Sequence, residues 1–72
     1  MNTLFYLGRY VIMSKDKRQI LTHKGFKDVD NLGDASPKLF PNLSAAKVCI
    51  ATTYDNNENL TCVEVNVKYE TN

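Results

Sequence analysis

The fold is decided by the stretch Leu60-Thr-Cys-Val-Glu-Val-Asn-Val-Lys-Tyr-Glu70. Its apolar residues alternate with polar ones at a period of two, and they are Val63, Val65, Val67 and Tyr69. Because successive side chains of a strand point to opposite faces of a sheet, this pattern predicts a strand with one buried and one exposed face. We expect the valines to face the core and Cys62 to lie on the polar side.

A helix is predicted immediately before this strand, over residues 42–54. Asn42 or Ser44 can accept hydrogen bonds from the first free backbone N–H groups as the N-cap. Four residues recur at helical spacing on one face, which predicts the side that packs on the sheet: Leu43, Ala46, Ile50 and Tyr54.

Two further strands are predicted nearer the N-terminus, over residues 4–14 and 19–23. The first is rich in aromatic and β-branched residues, and Gly8 within it is expected to mark a bulge or a close-packing point. Residues 15–18 contain turn formers and no apolar side chain, so the two strands form a predicted hairpin. Gly25 is expected to end the second strand because glycine tolerates positive φ.

The middle of the chain is polar and irregular over residues 26–38, a long loop for so small a protein. Residues 38–40, between Pro37 and Pro41, are expected to form a short edge strand. The elements predict one α+β domain over residues 1–72, with the order β-β-(short β)-α-β. A single helix covers one face of three to four mostly antiparallel strands in two layers.

Composition places this chain of 72 residues among ordinary soluble domains, with 43% hydrophobic residues and a formal charge of +1. A core of this size is marginal. No apolar run approaches the length of about 20 residues that spans a bilayer, and the N-terminus lacks the pattern of a secretory signal. We therefore expect a cytoplasmic protein that does not bind membranes, in which Cys49 and Cys62 are reduced.

The residue types needed for catalysis or metal binding are scattered. His23, Cys49 and Cys62 occur singly, whereas a zinc site needs about four ligands with paired spacings. Residues 28–39 resemble a calcium loop only in part, because Leu32 and Leu39 occupy positions that need oxygen ligands. We expect a non-enzyme without metal or cofactor.

Charge is unevenly distributed, with a basic segment from Arg9 to Lys27 and an acidic one at residues 28–34. Lysine and arginine at a hairpin tip can contact phosphate, but hairpin tips are also charged to prevent aggregation. A solvated turn, a protein-binding patch and a nucleic-acid contact all remain open. The candidate partner-binding residues are Lys15, Lys17, Arg18, Lys24, Lys27, Asp28, Asp30 and Asp34.

Four short motifs resemble a pattern found in small bacteriophage accessory proteins. They are Tyr10-Val-Ile, the segment Leu21-Thr-His-Lys-Gly-Phe26, Lys38-Leu-Phe40 and Ser44-Ala-Ala-Lys47. The resemblance implies a compact protein of the host cytoplasm that binds and inhibits a host protein, such as a defence, restriction or polymerase factor. The alternative function is a small nucleic-acid-binding domain that uses the basic hairpin.

The strand over residues 61–69 is long and free of proline and glycine. If it lies at a sheet edge, its unpaired backbone groups can pair with another strand. We therefore expect a homodimer through this strand, which would also add buried area to a small core.

Overall fold

The computed structural model describes residues 3–71 and contains four strands and one helix. They are β1 Thr3–Ser14, β2 Gln19–Thr22, β3 Gly25–Asp28, α1 Leu43–Thr53 and β4 Leu60–Thr71. All strand pairs are antiparallel, and the sheet order is β3-β2-β1-β4. The helix packs on one face of this sheet, so the predicted α+β fold class is confirmed.

β1 and β4 form a long two-stranded ribbon. They pair without interruption from Thr3 opposite Thr71 to Ser14 opposite Leu60. Gly8 pairs with Asn66 inside this register, and a Cβ placed on Gly8 would meet no atom within 4 Å. The expectation of a bulge or a close-packing point at Gly8 is therefore wrong.

The ribbon gives the molecule an elongated shape, with extents of 45 × 27 × 18 Å. The Cα radius of gyration is 13.3 Å, against about 11 Å for a compact domain of this length. A strand of twelve residues is roughly 40 Å long, whereas β2 and β3 are about a third of that. Much of β1 and β4 therefore extends past the rest of the sheet.

The third strand lies where a loop was predicted. β3 pairs with β2 from Thr22 opposite Gly25 to Gln19 opposite Asp28. The buried Thr22 hydroxyl donates to the Gly25 carbonyl at 2.6 Å and accepts from the Lys24 N–H at 3.1 Å, which fixes the turn. Gly25 has a φ of 92°, so it belongs to the turn and opens β3 rather than merely ending β2.

The segment before the helix is inserted between β1 and β2. Pro37 forms an isolated bridge with Thr22 on β2, and Phe40 forms one with Tyr10 on β1. The segment therefore lies inside the sheet, where β1 and β2 diverge, and it is not the regular edge strand that was predicted. Phe40 is buried there, whereas Leu39 is 41% exposed.

The helix begins and ends as its sequence predicts. The Asn42 side chain accepts a hydrogen bond from the Ala45 N–H at 2.8 Å and is the N-cap. After the helix, Asp55 and Asn56 adopt positive φ, and the Asn56 N–H donates to the Ile50 carbonyl at 3.0 Å. Polar residues tolerate this left-handed region better than β-branched ones, which explains why the helix stops there.

The core lies between α1 and one face of the sheet. Its buried residues are Ile12, Leu21, Phe40 and Ala46. Val11, Ile20 and Ala35 are also buried, outside this cluster. Ile50 on the helix and Tyr54, its C-cap residue, are half-buried and pack against this cluster. Leu43 was expected on the same face, but it is 39% exposed.

The helix covers the face of β4 that was expected to be exposed. Leu60 and Cys62 pack against the core cluster, so Val63, Val65 and Val67 point to the opposite face because side chains alternate. These valines are half-buried rather than buried. The strand was predicted correctly, but the expected orientation of its valines and of Cys62 relative to the helix is wrong.

Candidate partner-binding surfaces

The turn between β1 and β2 is held by the side chains that flank it. The Ser14 hydroxyl donates to Asp16 Oδ1 at 2.6 Å, and the Arg18 N–H donates to the same oxygen at 3.0 Å. These bonds lower the pKa of Asp16, the one from Ser14 most. Lys17 takes up the left-handed conformation, with a φ of 61°. The basic side chains therefore project from an ordered turn.

The turn that follows β3 lies beside this hairpin tip. The Val29 N–H donates to the Arg18 carbonyl at 2.9 Å, which extends the pairing of the two strands past Asp28. The Asn31 N–H then donates to the Asp28 carbonyl at 3.0 Å and closes the turn. An open groove of about 600 Å³ lies between the two turns, lined by Lys17, Arg18, Asp28, Val29, Asp30 and Asn31.

Basic and acidic residues thus meet at one end of the sheet. We call this surface the charged tip, and its residues are Lys15, Lys17, Arg18, Asp28 and Asp30. All five side chains are exposed. Within residues 3–71 none of them forms an ion pair; the bridge that is present joins Lys24 to Asp34. The tip therefore presents both signs of charge to solvent.

The other predicted binding residues lie elsewhere. Lys24 and Asp34 form their ion pair at 2.9 Å at the far end of the β2–β3 hairpin. Both are exposed, so the bridge contributes little to stability. Lys27 is exposed on β3, opposite Ile20. The eight predicted residues therefore do not form one patch.

Arg9 points toward the other end of the sheet. Its guanidinium carbon lies 6.0 Å from the centre of the Tyr69 ring, and its Nη1 donates to the Gly8 carbonyl at 2.9 Å. A cation over an aromatic face is attracted by the ring electrons. Arg9 therefore does not add to the basic charge of the tip.

A second surface, which the sequence did not reveal, is the free end of the β1–β4 ribbon. We call it the distal ribbon and define it as residues 3–9 with residues 65–71. Leu4 is 52% and Tyr6 62% exposed, and Phe5 and Leu7 are also exposed. Phe5 stacks on Tyr69 with ring centres 5.5 Å apart. Because side chains alternate along a strand, Leu4 and Tyr6 lie on one face of the distal ribbon and Phe5 and Leu7 on the other. Both faces therefore expose apolar side chains.

Residues with catalytic or metal-binding chemistry are not brought together. Within residues 3–71 no three histidine, cysteine, aspartate or glutamate side chains are grouped so as to hold a metal ion. Cys49 and Cys62 are free thiols, and burial raises the pKa of Cys62. In the same range there is no helix with the length and apolar character needed to cross a membrane.

Comparison with known proteins finds no family model, no curated protein and no solved structure that matches the chain.

Proposed function

We propose that the chain is a non-catalytic binding protein that acts on another protein by direct contact through the charged tip. The resemblance to bacteriophage accessory proteins would make this partner a host defence, restriction or polymerase factor in the cytoplasm, inhibited by the contact.

The observation that carries the proposal is the set of unpaired opposite charges around the tip groove. Charged side chains that lie this close and make no ion pairs with one another remain free to pair with a partner. The hydrogen bonds of Ser14 and Asp16 hold the turn in one conformation, so the entropy cost of ordering it when a partner binds is smaller. Complementary charges fix orientation and raise the association rate more than they raise affinity.

The mixed sign of the tip favours a protein partner over a nucleic acid. Lys15, Lys17 and Arg18 would attract phosphate, but Asp28 and Asp30 at the same groove would repel it. A protein surface can offer both carboxylates and ammonium or guanidinium groups. A nucleic acid remains the second candidate because three basic residues do project from one hairpin turn, as in β-ribbons that enter a DNA groove.

Capture from a bacterial host lysate tests the proposal with charge-reversed variants. The test variant is Lys17→Glu with Arg18→Glu, and the matched control is Lys38→Glu with Lys47→Glu. We expect a partner protein to be retained by the wild type and the control and lost from the test variant. Equal retention by all three would contradict the assignment of the tip.

A salt titration with random duplex DNA separates the two candidates. A protein-binding module should show no affinity for DNA at low salt. A measurable affinity that falls steeply with salt and is lost in the Lys17→Glu, Arg18→Glu variant would establish the nucleic-acid function instead.

A further inference from the structure

The outer edge of β4 pairs with no other strand in the part of the chain that the structure describes. β4 is the last strand of the sheet, and its inner edge pairs with β1. A long strand edge without proline or glycine that pairs with no other strand is a template for a further strand. Natural proteins usually shorten, bend or cover such an edge, and none of these protections is seen within residues 3–71.

The direction of the free backbone groups on β4 follows from the bonds that Tyr10 makes. The Tyr10 N–H donates to the Phe40 carbonyl at 2.9 Å, and the Phe40 N–H donates back at 2.8 Å. Tyr10 therefore points its backbone groups away from β4, and Tyr10 with Glu64 is a non-hydrogen-bonded pair. Glu64, Asn66 and Lys68 consequently direct their N–H and C=O groups away from β1, to the outer edge.

We propose that two copies of the chain pair through these edges in an antiparallel, two-fold symmetric manner, with Asn66 opposite Asn66 of the partner subunit. A two-fold axis perpendicular to the sheet places the helix-covered faces of both subunits on the same side of the joint sheet. Even-numbered residues of one β4 therefore lie opposite even-numbered residues of the other. The backbone groups of Glu64, Asn66 and Lys68 would then exchange about six hydrogen bonds across the interface. The result is one continuous sheet of eight strands.

Charge complementarity selects this register. With Asn66 at the axis, Glu64 lies opposite the partner's Lys68, and by symmetry the pair occurs twice. Centring the pairing on Val67 would place Glu64 opposite the partner's Glu70, and two like charges would meet. Centring it on Val65 would place Glu64 opposite the partner's Asn66, and both ion pairs would be lost.

The opposite face of the sheet fits the same register. Val65 lies opposite the partner's Val67, and Val63 lies opposite the partner's Tyr69. Cross-strand pairs of β-branched and aromatic side chains stabilise antiparallel sheets. Val63, Val65, Val67 and Tyr69 are only half-buried in the single chain, so these contacts would remove further apolar surface from water.

This dimer goes beyond the proposed function and does not depend on it. The charged tip lies at the end of the sheet where β1 joins β2, whereas the axis at Asn66 lies beside Gly8 in the distal ribbon. Analytical ultracentrifugation of charge variants tests it. Lys68→Glu alone and Glu64→Lys alone each place two like-charged pairs across the axis, and we expect each to weaken dimerisation roughly tenfold. The double variant Glu64→Lys, Lys68→Glu recreates both ion pairs with reversed polarity and should recover the affinity of the wild type.

The control variants carry the same charge changes away from β4. They are Lys27→Glu on the opposite edge strand and Glu58→Lys in the loop before β4, and neither should alter dimerisation. A wild type that remains monomeric at high micromolar concentration would overturn the proposal. A dimer whose affinity the double variant fails to restore would overturn this register.

A cysteine placed on the axis gives a second, independent measurement. In a Cys49→Ala, Cys62→Ala background, Asn66→Cys puts two thiols on opposed residues, within the Cα separation that a disulfide requires. Mild oxidation should convert this variant to a covalent dimer and leave Glu58→Cys in the same background monomeric. Equal cross-linking of the two variants would indicate random collision and contradict the pairing.

Discussion

The two halves of the β1–β4 ribbon show what one helix does for a small sheet. The body, formed by residues 10–14 and 60–64 with β2 and β3, lies beside α1, and Ile12 in it is fully buried. Tyr6 lies on the same face of β1 as Ile12, but in the distal ribbon, and it is 62% exposed. Among the described residues, none from 3–9 or 63–71 joins the helix-covered core cluster.

The difference shows that backbone pairing and side-chain burial contribute separately to the stability of this protein. Backbone pairing of β1 with β4 is continuous over both halves, but the buried side chains of β1, Val11 and Ile12, both lie in the body. A two-stranded ribbon without a covering layer is only marginally stable in water. The body should therefore carry most of the free energy of unfolding, and the distal ribbon should be available for contacts.

The largest expected effect on stability comes from truncating a buried side chain of β1, compared with an exposed one on the same face. Ile12→Ala leaves a cavity in the body and should lower the free energy of unfolding by about 2–5 kcal/mol. Tyr6→Ala in the distal ribbon should change it by less than about 0.5 kcal/mol. Urea denaturation followed by circular dichroism measures both values. Similar losses at the two positions would show that the ribbon is packed as tightly as the body.

The next largest effect concerns the contact between helix and sheet. Ala46 is fully buried, so Ala46→Leu overpacks the interface and should cost about 1–3 kcal/mol. Val48→Leu, on the exposed side of the same helix, is the matched control and should leave stability unchanged. If Ala46→Leu were neutral in urea denaturation, α1 would not lie closely against the body.

The sequence predicted the elements of the body better than their arrangement. The alternating pattern of β4 predicts that its two faces differ, but it does not predict which face the helix covers. The structure shows that the helix covers the face of Cys62, which packs with Ile12 in the core cluster. β3 was missed because Phe26 is the one large apolar residue in its four positions. Without β3, sequence alone could not place Asp28 and Asp30 beside Lys17 and Arg18.

A smaller effect is expected at the start of the helix that covers the body. Asn42→Ala removes the acceptor for the Ala45 N–H and should cost about 1 kcal/mol. Ser44→Ala, within the first turn, is the control and should have little effect because Asn42 provides the cap. Thermal unfolding of the two variants measures the difference. A greater loss for Ser44→Ala would mean that the helix is capped at Ser44.

The smallest effect lies at the boundary between body and distal ribbon, where the Tyr10 hydroxyl donates to Glu64 Oε2 at 3.1 Å. This bond, more than the charge of the carboxylate, raises the pKa of Tyr10 above its ordinary value of about 10. The folded protein therefore holds the phenolic proton more tightly than the unfolded chain. The resulting stabilisation is fully present below pH 10 and is lost as the pH rises through the folded pKa.

Ultraviolet titration of phenolate absorbance measures this pKa in the wild type and in Glu64→Gln, with a Tyr10→Phe variant to assign the signal. Glu64→Gln should bring the pKa of Tyr10 down toward its ordinary value, because a neutral amide oxygen accepts a weaker hydrogen bond than a carboxylate and carries no charge. Glu58→Gln, in the loop before β4, should leave it unchanged. An unshifted Tyr10 in the wild type would mean that the hydroxyl and the carboxylate are separated in solution. β1 and β4 would then be less firmly joined at the point where the body ends.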